Sequence, residues 1–262
     1  MEYIKEERVK SIELTKENVY VLLDFDKTIT SYDSLDSWGV AGMAADEGCE
    51  VEVNKLYEKY RPIEMDYNIS YEEKYKQMET WYNSCMNLYY KYHLNKDKLK
   101  KVVKNSNIVF RKGAKEFLKY TYENNIPVVI LSAGVGSVIK EFLKENGCFF
   151  DNIFLISNTF IYDESGNAYD LENLLIHTMN KTVEGHLKGK RKEEFDKRPY
   201  RLLFGDTIED INMTPKKDLE KTIKVGFLDK KLENLSTYRK KFDIVLTKED
   251  ATFDNVRKII KI

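Results

Sequence analysis

Two rhythms of apolar and polar residues alternate along this chain. Short apolar runs stand at 19–23, 128–131, 153–156, 201–204, 224–228 and 243–246. Runs of that length with little polar interruption suit strands buried on both faces, as in a parallel sheet. Between them apolar residues recur at helical spacing: Ala114, Phe117, Leu118 and Thr121, then Val138, Ile139, Phe142 and Leu143, with a last helix near 255–260. Residues 160–169 alternate around Ser165-Gly166-Asn167, which predicts a hairpin, and the polar residues 1–18 predict a short helix or lead-in. Strand–helix alternation of this kind predicts an α/β fold with a doubly wound parallel sheet.

The alternation is broken once. Residues 31–105 hold no second strand-like run, but Met78, Trp81, Tyr82, Cys85 and Leu88, then Leu99, Val102 and Val103, recur at helical spacing. Arg61-Pro62 is expected to be a helix boundary within this stretch. The chain therefore divides into a core made of 1–31 and 107–262 and a mainly helical insert, 32–106, placed after the first long strand. An insert of about 75 residues is large enough to fold as a small domain.

Composition narrows the setting. The 262 residues are 42% hydrophobic and 33% charged, with a net charge of −1, as in a globular protein with no basic surplus for nucleic acid. The charged first ten residues do not read as a signal peptide, and no apolar run has the roughly 18 residues of a membrane span. Cys49, Cys85 and Cys148 form no CxxC pair, so a reducing cytoplasm is expected.

Candidate chemistry collects where the apolar runs end. Val19 to Leu23 lead into Asp24-Phe25-Asp26-Lys27-Thr28. Side chains two apart on an extended backbone share a face, so Asp24, Asp26 and Thr28 can converge at the carboxyl edge where open α/β sheets bind ligands. Taken alone, the stretch also reads as a strand followed by an Asx turn. Other runs end alike: Ser132-Ala133-Gly134 follows the second, and Gly205-Asp206 with Asp210 follows the fourth. Four carboxylates near one point call for a cation, and hard oxygen donors in small number suit Mg²⁺. Ser132 and the amides of Ala133 and Gly134, opening a helix, would receive an anion, and Lys181 would add a fixed positive charge. Cation, anionic substrate and carboxylate nucleophile together describe phosphoryl transfer through an aspartyl-phosphate.

These four segments, in this order, resemble the motifs of the haloacid dehalogenase superfamily. The likeness narrows to the cytosolic pyrimidine 5′-nucleotidase (5′-nucleotidase III) family. His177-Thr178-Met179-Asn180-Lys181 is similar to its lysine motif, and Lys224-Val225-Gly226-Phe227-Leu228 and residues 238–246 to its C-terminal strands. Tyr60-Arg61-Pro62-Ile63-Glu64-Met65-Asp66 and Met78-Glu79-Thr80-Trp81 resemble its cap.

The resemblance implies roles. Asp24 would be the nucleophile and a Mg²⁺ ligand. Asp26 would be the acid and base, binding the metal through its backbone carbonyl, and Thr28 would hold Asp26 and its loop. Ser132, Ala133, Gly134 and Lys181, with Thr28, form the expected phosphate site; Asp206 would ligate the metal directly, and Asp210 would complete the metal set through water or act by fixing Lys181. In the cap, Glu64 would read a base amino group and Trp81 would lie near the base. Met86 stands where family members carry His or Trp, and 31–52 lacks the family's usual sequence. The implied activity is Mg²⁺-dependent hydrolysis of nucleoside 5′-monophosphates, pyrimidine ones foremost. The rival is another small phosphate ester, a sugar phosphate or phosphoserine, and a third reading is a regulatory protein with a degenerate site. No nucleic-acid or membrane partner is expected.

Overall fold

The structure, a computed structural model, describes residues 2–66, 68–187, 189–230, 232–247 and 251–256. Its centre is strand β2 (Val19–Leu23), in which every residue is buried. Buried at every position, it carries no charged residue until it ends. Seven strands form one sheet in the order β1-β9-β8-β7-β2-β3-β4. The others are β1 (Glu2–Ile4), β3 (Val128–Val135), β4 (Ile153–Asn158), β7 (Tyr200–Gly205), β8 (Thr222–Leu228) and β9 (Ile244–Thr247). All neighbours run parallel except β1, which pairs antiparallel with β9. The chain builds outward from β2 through β3 to β4, then returns to β7 and builds the other way. That reversal beside β2 makes the crevice between β2 and β7 the topological switch point.

The doubly wound sheet expected from the apolar runs is present, with three differences at its margins. The polar N-terminus contributes strand β1 as well as helix α1 (Glu6–Lys10). Strand β3 runs on to Val135, four residues past its apolar run, because it continues beside β4 after a register shift between Leu131 and Val135. The expected last helix at 255–260 falls mostly on 257–260, outside the described residues; before it lies a single 3₁₀ turn, Phe253–Asn255.

Between β2 and β3 the chain forms helices α2 (Ser37–Met43), α3 (Cys49–Met65), α4 (Tyr71–Lys91) and α5 (Lys96–Asn105). Side-chain oxygens cap three of them: Asp36 accepts from Gly39 N at 2.8 Å, Ser70 from Glu73 N at 3.3 Å, and Asn95 from Asp97 N at 3.0 Å. Along α4 the buried face holds Met78, Trp81, Tyr82, Cys85, Met86 and Tyr89, the helical stripe read from spacing. Leu88 is only partly buried. Arg61-Pro62 is not a helix boundary: α3 continues through Pro62 to Met65. Proline here costs one bond to the carbonyl of Glu58, and Glu58 is exposed, so water can serve that oxygen.

Helices α6 (Ala114–Glu123), α7 (Gly136–Glu145), α8 (Gly189–Asp196) and α9 (Leu235–Lys241) complete the chain. The expected hairpin is β5 (Phe160–Tyr162) with β6 (Ala168–Leu171), a two-stranded sheet of its own. Its turn is tied to the start of α5: Lys96 N donates to Gly166 O at 2.8 Å, and Asn95 Nδ2 to Ser165 O at 3.1 Å. Gly166 sits there at φ +81°, a conformation glycine adopts without steric cost.

Candidate active site

Asp24 is the first residue past β2, and its N–H donates to Phe204 O at 3.1 Å, so the neighbouring strand β7 sets its position. The residue is 7% exposed. Lys181 Nζ donates to Asp24 Oδ1 and, at 2.8 Å, to Asp210 Oδ1. The other oxygen of Asp210 accepts from Asp206 N at 3.1 Å and from the N–H and hydroxyl of Thr207, both at 2.9 Å. Asp210 thereby closes the turn after β7 and holds the lysine. Carboxylate oxygens of Asp24, Asp206 and Asp210 lie within 4.8 Å of one another.

The electrostatics follow from burial. Asp24 is pushed up to about 6, mainly by burial; Lys181 opposes the shift and Asp210 adds to it. Asp206 is raised well above the usual carboxylate range by burial and by its neighbours Asp210 and Asp24. Burial alone would discharge Lys181, but Asp210 and Asp24 outweigh it and hold the amine protonated. One lysine cannot balance three carboxylates, and an all-oxygen donor set of this kind fits a hard divalent cation such as Mg²⁺.

Asp26 belongs to a different environment. Its carboxyl group stands outside that cluster: Oδ1 accepts from Ser37 N at 2.9 Å and Oδ2 from the Ser37 hydroxyl at 2.6 Å. Burial, with nearby Asp36, pushes Asp26 up to about 7, against the two bonds from Ser37. A carboxyl group near neutrality can both give and take a proton. Asp24 and Asp26, adjacent on one face by sequence, are thus separated into an ion-paired carboxylate and a candidate acid.

Thr28 does not hold Asp26 by a hydrogen bond. Its hydroxyl is buried without a partner, and the loop Phe25–Ile29 is closed by Thr30, whose Oγ1 accepts from Lys27 N at 2.8 Å. Arg111 braces the same loop from beneath. It donates to the carbonyls of Lys27 and Thr28, to Ala251 O at 2.9 Å, and to both carboxylate oxygens of Asp229 at 2.9 Å.

Ser132, Ala133 and Gly134 lie within β3, and helix α7 begins only at Gly136. They therefore do not open a helix, contrary to the expectation, because the strand pairing with β4 outlasts them. Ser132 Oγ accepts from Gly134 N at 3.0 Å, while Asn158 Nδ2 donates to Ala133 O at 2.9 Å and Ser157 Oγ to Gly134 O at 2.8 Å. A Cβ on Gly134 would stand 2.2 Å from Ser37 Oγ and 2.6 Å from Asp26 Oδ2. Only glycine lets β3 pass this close to the acid. Gly134→Ala is expected to displace the Asp26 carboxyl group and lower kcat by about 10²-fold or more, with a smaller change in KM; steady-state kinetics checks it.

Lys181 is carried by an irregular segment without strand or helix. Asn158 takes both backbone groups of Ile176, donating to its carbonyl at 2.8 Å and accepting from its N–H at 2.9 Å. Asn180 Oδ1 accepts from His177 N at 2.8 Å, and its Nδ2 donates to Leu175 O at 2.9 Å. His177 packs edge-on to Tyr75 and Tyr82, with ring centroids 4.7 and 6.0 Å away, and burial lowers it to about 4, so it is neutral. This joins the lysine loop to α4.

On the helical side, Glu64 is 8% exposed at the end of α3 and paired with Arg61. Trp81 stacks on Tyr60 at 5.9 Å and meets Tyr82 edge-on at 5.4 Å. Met86 is packed into the core one turn beyond Tyr82, 3% exposed. Ser37, Asn158 and Arg111 are residues that spacing missed.

The family model described as Pyrimidine 5′-nucleotidase (UMPH-1) matches residues 19–262. A protein of Xenopus laevis named 7-methylguanosine phosphate-specific 5′-nucleotidase A is 33% identical over 259 residues, covering 94% of this chain and 88% of that one. Among solved structures, cytosolic 5′-nucleotidase IIIB bound to cytidine superposes with a TM-score of 0.84 at 26% identity, over 98% of this chain and 92% of that chain. A phospho-aspartyl intermediate analogue of phosphoserine phosphatase shares the fold with a TM-score of 0.61 at 20% identity, over 94% of this chain and 100% of that one.

Proposed function

The chain belongs to the pyrimidine 5′-nucleotidase family, and from that premise we propose that it hydrolyses nucleoside 5′-monophosphates, pyrimidine ones foremost, through a phosphoryl group carried on Asp24. As a member it is a nucleotidase of the haloacid dehalogenase superfamily and a phosphoric monoester hydrolase. The observation that carries the mechanism is the division of labour between Asp24, ion-paired to Lys181, and Asp26, held apart by Ser37.

Asp24 attacks phosphorus while the 5′-oxygen leaves with the proton of Asp26. Asp26, now a carboxylate, takes a proton from the water that attacks the phosphoryl group, and phosphate and the free Asp24 carboxylate result. Ser37 keeps the acid in place through both steps. Lys181, fixed by Asp210 and by the Asn158 and Asn180 bonds around its loop, supplies positive charge to the phosphoryl oxygens. Ser132 and the backbone of Ala133 and Gly134 line the same edge of the sheet as further phosphate contacts. Asp24, Asp206 and Asp210, with the carbonyl of Asp26, would hold Mg²⁺, which neutralises charge developing on the transferred group.

Residues 32–106 act in this reading as a cap over the core formed by 1–31 and 107–262. Glu64, Trp81 and neighbouring aromatic rings form its base-facing side, with Met86 behind them. A cytosolic setting agrees with the name of the cytidine-bound neighbour, and no described helix is long and apolar enough to cross a membrane.

The test is phosphate release from cytidine and uridine monophosphates, a hexose phosphate and phosphoserine, with Mg²⁺ or with EDTA. Pyrimidine nucleotides are expected to exceed the other esters by about tenfold or more in kcat/KM, with activity lost in EDTA and restored by Mg²⁺. Equal rates on the sugar phosphate or phosphoserine would favour the rival ester and refute the nucleotide reading.

A further inference from the structure

We propose that helix α4 of the insert supports Lys181 from outside the sheet, with Tyr71 and Tyr75 as positioning residues for its amine. The proposal rests on the reading above in which Lys181 binds the transferred phosphoryl group, and it ties that binding to the helical side of the molecule.

Little local structure keeps the lysine in place. Its side chain is a flexible four-carbon stem, and the segment that carries it has neither strand nor helix. Before it, Asn158 fixes Ile176 to the core by two bonds; after it, Val183 N donates to Met213 O at 3.0 Å. Between these anchors the residues mostly bond one another: Asn180 Oδ1 accepts from His177 N, and His177 Nδ1 accepts from Met179 N at 3.2 Å. Among the described residues, every hydrogen bond or ring contact that 177–180 make beyond 175–181 comes from α4. Tyr71, the first residue of α4, donates its hydroxyl to Met179 O at 3.0 Å. Tyr75, one turn on, meets the His177 ring edge-on, with centroids 4.7 Å apart and an interplanar angle of 80°. Tyr82 reaches the same ring at 6.0 Å. His177 is 1% exposed, so its ring is enclosed, and its bond to Met179 N passes the ring's position to the backbone two residues before the lysine.

The amine bridges Asp24 and Asp210. Once a phosphoryl group stands at Asp24, the amine must serve phosphoryl oxygens while Asp210 keeps its hold. Where it can then reach depends on where the loop holds the lysine's backbone. Strands of the core holding 177–180 would make the lysine independent of the insert. Here the hold comes from the insert, so a shift of α4 is passed on to the amine. Phosphate binding and the seating of α4 on the lysine loop are therefore coupled, each favouring the other.

Binding of inorganic phosphate to the full chain with Mg²⁺, followed by calorimetry, reads this coupling without a nucleoside. Tyr75→Leu should weaken phosphate by about tenfold or more, because the ring that holds His177 is gone. Tyr71→Phe should weaken it by about threefold, the scale of one hydrogen bond. Tyr75→Phe keeps the ring and should stay within about twofold. Cytidine, which carries no phosphate, should bind all three variants as it binds the parent. In a Lys181→Met background the loss from Tyr75→Leu should shrink to within about twofold, since the lysine it positions is absent. A loss that persists in that background marks a merely structural role and refutes the proposal, as does a loss confined to cytidine. Phosphate affinity lowered by Lys181→Met but unmoved by Tyr75→Leu refutes the proposal alone. Affinity unmoved by Lys181→Met overturns the phosphate-binding reading of the lysine and this proposal with it. Should Tyr75→Leu not fold, phosphate affinity unmoved by Tyr71→Phe decides against the proposal in the same way.

Discussion

Asp24→Asn is expected to lower phosphate release by roughly 10⁴-fold or more, the usual scale for losing a nucleophile, while the protein stays folded. The amide keeps the shape and size of the side chain but cannot form the acyl phosphate. Folding should not suffer, because burial already works against a charged Asp24, pushing it up to about 6. Lys181 keeps Asp210 at 2.8 Å as a counter-ion. The melting temperature is therefore expected to hold or rise, the pattern of a group kept for chemistry at some cost in stability. Acid-quench trapping should find a phosphoenzyme in the parent and none in the variant. An unchanged turnover rate would show that phosphorus is attacked by something other than this carboxylate.

Arg111→Leu is expected to be the most damaging single change to stability, about 3–5 kcal/mol, the range for breaking a buried ion pair from one side. Arg111 is 3% exposed, and its guanidinium lies over the Phe227 ring at 4.1 Å. Without it, Asp229 loses a two-pronged partner, and the carbonyls of Lys27, Thr28 and Ala251 lose their donors. Two of those carbonyls belong to the loop that holds Asp26, so activity should fall even where the variant is folded. Urea unfolding measures the first effect; a loss below about 1 kcal/mol would refute the bracing role. The double variant Arg111→Leu with Asp229→Leu should regain part of the loss, since no charge is then stranded.

These two residues mark what could and could not be seen in the sequence. Asp24 was visible because a strand buried on both faces must be apolar until it ends, so a carboxylate pair at its end stands out. Asp206 and Asp210 were visible for the same reason after β7. Arg111 gave no such sign: its partner Asp229 is 118 residues away, and an arginine between Phe110 and Lys112 has the pattern of a surface residue. Ser37 and Asn158 were hidden likewise, their importance lying in atoms that come near only when the sheet forms. Pro62 and Ser132 misled because local propensity was outweighed by packing. A helix can carry proline where the freed carbonyl meets water, and a strand can outlast its apolar run when its neighbour continues to pair.

Ser37 has one more consequence. It is fully buried, and besides its two bonds to Asp26 its hydroxyl accepts from Val135 N at 3.0 Å, at the end of β3. The first residue of α2 is thus tied to the loop after β2 and to the end of β3, although the rest of its segment belongs to the helical side. In the proposed reaction the proton donor Asp26 is therefore held by a residue that is itself bonded to β3, and by no residue of α3 or α4 among the hydrogen bonds described.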